Sequence, residues 1–387
     1  MRRELKQDLD ASVPVNIMLD EEKKNAILQE AHKRIETKQP SPKPIVKPII
    51  TSVAVIGLAG FMAFPYVQQE LQQHASQEVN ISNAIQQVTI RDGNYPDLIN
   101  AVFVDNTNEL IYTDGKGIYT FSVGSNTTQT LVNSKGESQI PGVSVAANED
   151  WIVWDYAGKS THILNRLNGE IKEINTFGFL QIVGNRLIYM ASHDGTMRYE
   201  QFDLHTFKKT LIHGSSGEGS NSYPGINDGK LAISERVNKK AGGGVSFTIY
   251  DLEKNLQIGI YTLPYERAEN VTITDNKVYA SLSNEDKSST TLGYINLEDG
   301  QFYEIEVPEF DAYAIYENYL ALSIPVKNSN TVKLFAIDND KVEPLPYLNH
   351  IKERLVKPRF TDKGTLVLNG EGEDRSMYLV DVNAFDN

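Results

Sequence analysis

Histidine is the side chain best suited to hold a metal ion or to move a proton near neutral pH. The seven histidines of this chain are scattered, and none pairs with another at a metal-ligand spacing such as the four-residue step of HExxH. We therefore predict no metal site and expect each histidine to be a surface or turn residue. The seven are His32, His74, His162, His193, His205, His213 and His350.

Two glycine-rich stretches have the composition of catalytic or phosphate-binding loops but lack their spacing. In Gly214–Gly219, Glu218 stands where a nucleophile elbow requires glycine, and no Lys followed by Ser or Thr completes a phosphate-binding loop. The stretch Lys239–Gly244 (KKAGGG) also reads as a loose loop. We predict that both stretches are flexible connections between strands.

The carboxylates give no clearer chemistry. Asp338-Asn339-Asp340 and Glu371-Gly372-Glu373-Asp374 offer oxygen ligands for calcium, but neither has the alternating acids, central glycine and distal glutamate of an EF-type loop. Hairpin turns use the same residues, so turns are expected there. The chain has no cysteine, which excludes disulfides and thiolate chemistry. We predict no catalytic residue and no cofactor, and we expect that the chain is not an enzyme.

A surface suited to a protein partner is predicted near the N-terminus. Residues 1–37 read as two short helices, the second capped by Asp20, and each carries an apolar stripe. Such a pair is too small to bury a core of its own, so we expect the stripe to bind a cytoplasmic protein. The alternative is a tail that merely supplies positive charge. The stripe consists of Leu5, Leu9, Ile27, Leu28, Ala31 and Ile35.

One apolar segment, residues 45–67, divides the chain. From Pro48 it carries no charge for about twenty residues, which as a helix spans the roughly 30 Å of a bilayer's hydrocarbon core. We predict a transmembrane helix there, preceded by a cytoplasmic helical segment with a proline-rich linker (residues 1–44). A helical stalk (residues 68–83) and an exported domain (residues 84–387) are predicted to follow.

The charges around this segment predict its orientation. Lysines and an arginine crowd the preceding fifteen residues, whereas residues 68–90 contain neither. The positive-inside rule places the N-terminus in the cytoplasm and the rest outside the cell membrane. A cleaved signal peptide is the competing interpretation, but its apolar core would lie closer to the start. Beyond residue 47, 43 acids stand against 27 basic residues, which argues against a nucleic-acid partner.

From residue 85 onward the sequence repeats a pattern of strands and turns about every forty residues, as β-propeller blades do. We count seven repeats of one strand, each followed by a second strand and usually by a third. The last repeat lacks its third strand, which Ala84–Ile90 can supply to close the ring. The recurring strand reads ELIYT, WIVWD, RLIYM, KLAIS, KVYAS, YLALS and TLVLN, starting at residues 109, 151, 186, 230, 277, 319 and 365. An all-β, seven-bladed propeller is the prediction, with six or eight blades as alternatives.

These repeats resemble the divergent TolB-like and WD-like propellers. The whole arrangement is similar to membrane-bound regulators of extracytoplasmic-function sigma factors in Bacillus-type bacteria. The resemblance implies an exported propeller that binds an envelope ligand or protein, and cytoplasmic helices that hold or release a partner such as a sigma factor. A membrane-anchored scaffold module with no cytoplasmic partner is the second hypothesis, and a propeller hydrolase or lyase is the third.

Overall fold

The computed structural model describes residues 84–385, apart from short gaps. The gaps are residues 91–97, 115–116, 134–143, 157–159, 177, 217–221, 228, 239, 241, 285–289, 327–328, 339 and 375. The predicted N-terminal helices with their apolar stripe, the transmembrane helix and the stalk all lie outside the described residues. Within those residues, no helix is long and apolar enough to cross a membrane.

Seven four-stranded antiparallel sheets form the blades of a propeller, and in the first six the strands follow the chain outward from the centre. The first three blades occupy residues 102–214. The first described strand, β1 (Ile85–Val88), belongs to the last blade. Blade 1 consists of β2 (Val102–Val104), β3 (Glu109–Thr113), β4 (Gly117–Ser122) and β5 (Thr127–Asn133). Blade 2 consists of β6 (Val145–Ala147), β7 (Trp151–Tyr156), β8 (Ser160–Asn165) and β9 (Ile171–Ile174). Blade 3 consists of β10 (Leu180–Val183), β11 (Arg186–His193), β12 (Thr196–Asp203) and β13 (Lys209–Gly214).

The next three blades repeat this order. Blade 4 consists of β14 (Gly225–Asn227), β15 (Lys230–Arg236), β16 (Val245–Asp251) and β17 (Leu256–Leu263). Blade 5 consists of β18 (Arg267–Thr274), β19 (Lys277–Ser283), β20 (Thr290–Asn296) and β21 (Phe302–Ile305). Blade 6 consists of β22 (Ala312–Tyr316), β23 (Tyr319–Val326), β24 (Ser329–Asp338) and β25 (Lys341–Leu345), followed by a 3-10 helix at Pro346–His350.

Blade 7 joins the two ends of the described chain. It consists of β26 (Leu355–Phe360), β27 (Thr365–Gly370) and β28 (Met377–Asp381), with β1 (Ile85–Val88) as its outer strand and a 3-10 helix at Val382–Phe385 after it. β1 pairs with β28 in a register that sets Ile85 opposite Val380 and Val88 opposite Met377. The predicted closure and the count of seven blades are therefore confirmed.

Side chains on both faces of the strands build the core between neighbouring blades. Five consecutive residues are buried in each of β15, β19 and β23, because each of these strands is covered on both faces by the adjacent blades. Burying one such aliphatic or aromatic side chain stabilises the fold by roughly 1.5–3 kcal/mol. These strands contain the recurring segments KLAIS, KVYAS and YLALS, which the sequence pattern predicted to be strands.

The alternating strand directions give the propeller two distinct faces. Turns that join the first to the second strand, or the third to the fourth, lie on what we call the hairpin face; the connections between blades lie on the opposite, connection face. β1 is a fourth strand whose first residue pairs with the end of the third strand, β28. The chain therefore enters the propeller on the hairpin face.

Candidate functional site

The described histidines lie in separate places. His162 stacks on the ring of Trp154 at 5.3 Å between centroids, and His205 meets the edge of Trp151 at 5.6 Å. His193 is exposed, with its Nε2 3.7 Å from an oxygen of Asp194. Across the described parts of residues 84–385, no three His, Asp or Glu side chains lie close enough together to hold a metal ion.

His213 belongs to a half-buried network that joins blades 3 and 4. The Nδ1 atom of His213 lies 2.8 Å from the hydroxyl of Tyr250, and its Nε2 atom lies 3.0 Å from Oε2 of Glu235. The other carboxylate oxygen of Glu235 accepts a hydrogen bond from the backbone N–H of Ser216 at 2.9 Å. Burial raises the pKa of Glu235, but the hydrogen bonds from His213 and Ser216 outweigh it, so that this pKa lies below its ordinary value. The start of the glycine-rich stretch after His213 thus serves to tie two blades together.

The two acidic stretches also form local structure where they are described. Asp340, in the turn between β24 and β25, accepts the hydroxyl of Tyr294 at 2.7 Å. Glu371 pairs with Arg354, and the N–H of Gly372 donates to Glu353. Asp340 and the residues from Gly372 to Asp374 thus lie in turns between strands, where the sequence predicted turns.

One cavity among the described residues is the central channel, with a volume of about 530 Å³. The innermost strands β2, β6, β10 and β26 line it, together with the turns at their ends. Two cationic side chains, Lys357 and Arg359, come from β26. They stand two residues apart on the same strand.

Lys357 adopts an unusual backbone conformation. Its φ is +54°, in the left-handed region, although it precedes Pro358, and the register between β26 and β27 shifts between Val356 and Arg359. A proline disfavours helical backbone conformations in the residue before it. Holding a non-glycine residue in a sparsely populated region of φ and ψ costs of order 1–3 kcal/mol of folding free energy. The bulge turns this lysine so that its Nζ donates to Oδ1 of Asn100 in the connection before β2.

The channel lowers the pKa of the Lys357 side chain. Its side chain reaches solvent inside the channel, but the walls remove enough water, and Arg359 adds enough repulsion, to lower its pKa to about 8. In the part of the chain that the structure describes, no carboxylate stands within ion-pair distance of its ammonium. Among the described residues, the ammonium of Lys357 is therefore held by an amide oxygen and by no carboxylate.

Arg359 is fixed at the junction of blades 7 and 1. Its Nη1 donates to the carbonyl of Lys357 at 3.0 Å and to Oδ1 of Asn369 at 2.8 Å, and its Nη2 donates to the carbonyl of Ala101 at 3.2 Å. Asn369 is 1% exposed and donates in turn to the carbonyl of Leu98 at 3.3 Å. This network holds the guanidinium, and thereby the charge beside Lys357, in one position.

The hairpin-face end of the channel carries both signs of charge. Lys363 donates to Oδ1 of Asn106, and Glu149 lies beside them. The pKa of Glu149 is lowered by hydrogen bonds from its own backbone N–H and from the side chain of Asn106, and to a smaller extent by the charge of Lys363. Asp105 and Asp362 complete this end. The cationic pair on β26 is thus separated along the strand from the acids at the turns.

The second cavity opens on the hairpin face between blades 5 and 6 and has a volume of about 750 Å³. We call it the tyrosine cup. Its acids come from turns of three blades: Asp275 between β18 and β19, Glu317 between β22 and β23, Asp340 between β24 and β25, and Asp362 between β26 and β27. Lys277 is the cation among the residues that line it.

Three tyrosines cross blade 5 in register beside this cavity. Tyr279, Tyr294 and Tyr303 stand directly opposite one another on β19, β20 and β21. Successive ring centroids are 5.2 Å apart, the first two rings being tilted and the last two stacked. The hydroxyl of Tyr294 donates to Asp340 and that of Tyr303 donates to Asp299 at 2.8 Å, so these two rings are anchored at their polar tips.

Sequence reasoning identified neither cavity. Lys357, Pro358 and Arg359 form a Lys-Pro-Arg run inside an apolar strand, and proline in a strand marks a bulge or an edge, so a signal was present. Nothing comparable marks Glu317, because a glutamate in a turn is an ordinary residue of soluble proteins. The predicted partner-binding stripe from Leu5 to Ile35 lies outside the described residues.

No protein-family model matches this sequence, and no curated protein matches it. Solved propeller structures do match. The β-propeller domain of Myceliophteria thermophila Cps50 (Swd1) has a TM-score of 0.53 at 11% identity, covering 77% of this chain and 100% of that domain. An oligogalacturonate lyase in complex with manganese has a TM-score of 0.53 at 10% identity, covering 78% of this chain and 92% of the lyase.

An oligogalacturonate lyase from Vibrio parahaemolyticus gives a similar result, with a TM-score of 0.52 at 12% identity, covering 77% of this chain and 91% of that one. These matches correct the expectation that the chain is not an enzyme, because the fold that the chain adopts is also the fold of a lyase. At such low identity the likeness shows the fold and assigns no activity. The chain is a seven-bladed β-propeller from residue 84 onward, a fold that enzymes and non-enzymatic proteins share.

Proposed function

We propose that the propeller is the ligand-binding domain of a membrane-anchored regulator, and that its ligand binds in the central channel through a carboxylate or phosphate group. The observation that carries this proposal is the strained bulge of β26, which holds Lys357 beside Arg359. Backbone strain of this kind persists where the surrounding structure enforces it, and it concentrates at binding and catalytic sites.

The charges of the channel favour an anionic ligand. Two adjacent cations repel each other, and an anion bound between them removes that repulsion while restoring the solvation that Lys357 has lost. Arg359 is already oriented by its hydrogen bonds, so little side-chain entropy is lost on binding. Because the site lies within the ring of blades, solvent screens it less than it screens the outer surface.

The regulatory part of the proposal comes from the sequence. Residues 45–67 would anchor the chain in the cell membrane, with residues 1–44 in the cytoplasm and the propeller outside. The described chain enters the propeller on the hairpin face, so this face would be the one nearer the membrane. Ligand binding would then change how the stripe from Leu5 to Ile35 holds a cytoplasmic protein such as a sigma factor.

Binding to the channel is tested by calorimetric titration of the purified full-length chain with galacturonate oligomers, inorganic phosphate and the neutral sugar cellobiose. We expect heat from one of the anions and none from cellobiose. Lys357→Met should weaken binding about tenfold or more, whereas Lys363→Met, at the far end of the same cavity, should weaken it less. The proposal fails if no anion binds, or if the two variants behave alike.

The regulatory role has a separate test. The full-length chain and a variant lacking residues 1–37 are purified from cells under mild detergent, and the proteins that accompany each are identified. A cytoplasmic protein that accompanies the full chain and is absent from the shortened one would support regulation. If the two chains bring down the same proteins, the anchored scaffold is the better account.

A second candidate function, a propeller lyase or hydrolase, is favoured by the pKa of about 8 at Lys357. An amine with this pKa is partly deprotonated near neutral pH and can act as a general base on a ligand held in the channel. Oligogalacturonate, the substrate named for two proteins of similar fold, carries the carboxylates that the cationic pair would bind. Ultraviolet absorbance of unsaturated products during incubation with polygalacturonate tests this, and loss of that signal in Lys357→Met would support it.

A further inference from the structure

We propose that the tyrosine cup is a second binding site, which takes a ligand carrying primary ammonium groups. Such groups occur in polyamines and in the lysine side chains of a basic peptide. The site is distinct from the cationic pair of the channel, so this proposal does not rest on the function proposed above.

The placement of the acids favours an extended organic cation over a metal ion. Asp275, Glu317 and Asp340 project from three different turns around a cavity of about 750 Å³. Among the described residues, no three acidic or histidine side chains come close enough together to coordinate a metal ion. Carboxylates spread around a cavity of this size can instead pair with ammonium groups that are separated along a flexible ligand.

The tyrosines supply a second kind of attraction for such a ligand. The Nζ of Lys277 lies 5.0 Å from the centroid of the Tyr294 ring, within the range of a cation–π interaction, and 3.8 Å from an oxygen of Asp275. The chain's own ammonium group thus already uses one ring and one carboxylate of the cup. A ligand ammonium would meet the same chemistry elsewhere in the cavity.

Glu317 occupies a turn position that suits another residue. Its φ is +50°, and its backbone N–H donates to Oγ1 of Thr274 at 3.2 Å. A left-handed conformation in a two-residue hairpin turn favours glycine or asparagine. Glu317 is exposed and lines the cavity, and its carboxylate makes no ion pair with another described residue, so it can pair with an ammonium group of a ligand.

The test is calorimetric titration of the purified full-length chain with spermidine and with trilysine, and with magnesium chloride and glutamate as controls. We expect spermidine or trilysine to bind and the controls not to bind. Binding of spermidine alone identifies a polyamine site, and binding of trilysine alone identifies a peptide site; either result supports the ammonium chemistry. If neither binds, the proposal is wrong.

Three variants separate a local site from general attraction to an acidic protein. Glu317→Gln and Glu317→Gly should each weaken binding about tenfold, and Lys277→Gln should strengthen it several-fold by removing a competing ammonium. Glu253→Gln removes an exposed acid from another turn of the hairpin face and should leave the affinity unchanged. If Glu253→Gln weakens binding as much as Glu317→Gln, or if Lys277→Gln weakens it, the proposal is overturned.

Glu317→Gly also provides an internal control for folding. Because glycine is at ease at this φ, the variant should unfold at the same urea concentration as the wild type or at a higher one. Loss of binding in a protein of undiminished stability would place the effect at the carboxylate. If both Glu317 variants still bind, Glu317 does not contact the ligand and the proposed site is wrong.

Discussion

The change in unfolding free energy caused by replacing Lys357 with methionine should be more favourable at neutral pH than at alkaline pH. The fold lowers the pKa of this lysine from its ordinary 10.5 to about 8. At about 1.4 kcal/mol per pH unit, the full shift corresponds to roughly 3 kcal/mol. Because the side chain is exposed within the channel, solvent screening reduces the expected effect to ~1 kcal/mol.

The sign follows from where the proton is bound. Below a pH of about 8 the lysine is charged in both the folded and the unfolded chain, so the fold carries the whole electrostatic penalty. As the pH rises from 8 towards 10.5, the folded chain loses this proton first and the penalty disappears. Methionine never carries the charge. The change in unfolding free energy caused by Lys357→Met should therefore become less favourable by ~1 kcal/mol between pH 7 and pH 10.

The bond from Lys357 to Asn100 is lost at every pH once the amine is removed, which costs roughly 0.5–1 kcal/mol but cancels in this comparison. Urea unfolding followed by tryptophan fluorescence measures both values, since Trp151 and Trp154 are buried in blade 2. Lys352→Met, in the exposed loop before β26, is the control. If Lys357→Met has the same effect at pH 7 and pH 10, the lysine is not desolvated and the channel argument is wrong.

Three further substitutions test the fold around these sites. Gly293→Ala should destabilise the propeller by about 1–3 kcal/mol in urea unfolding, because the added Cβ would lie 2.5 Å from a phenylalanine ring on β21 and 2.6 Å from a backbone carbonyl. Val88→Asp should cost at least about 3 kcal/mol by placing a charge in the closing blade, whereas Gln86→Asp on the exposed side of β1 should change little. Glu235→Gln should cost about 1–2 kcal/mol at pH 7 by weakening the bond to His213. Since the pKa of Glu235 is lowered in the fold, the stability that its charge contributes is present above about pH 4.5 and lost as the pH falls through the folded value, so wild type and Glu235→Gln should converge in acid.

The second, third and closing strands of the blades could be predicted because their residues repeat in a recognisable order. The strand that begins at Glu109 and its six counterparts are apolar on both faces and are usually preceded by an Asn, Asp or Gly turn, which gives a recognisable repeating pattern. The innermost strands could not be predicted from the sequence. β2 and β6 are three residues long, and β14 reads Gly-Ile-Asn, so these strands are too short to display a period.

The candidate sites were missed for a different reason, which is that they depend on contacts between distant residues. Arg359 is held by the carbonyl of Ala101, 258 positions earlier in the chain, and Asn369 reaches the carbonyl of Leu98. Only the closure of blade 7 onto blade 1 brings these groups together. Likewise Glu317 matters because its turn lies beside Asp275 of the neighbouring blade, which no local pattern reveals.

The distribution of charge distinguishes the two sites in a way that their residues alone do not. The chain carries a net charge of −14, so its overall field repels anions and attracts cations at long range. An anion bound at Lys357 must therefore be held by short-range contacts inside the channel, and salt should favour its binding by screening the repulsion from the rest of the chain. A polycation at the tyrosine cup would gain from the whole field, and screening by salt would weaken its binding. The two sites should then differ in the sign of their response to ionic strength, because one acts against the field of the protein and the other with it.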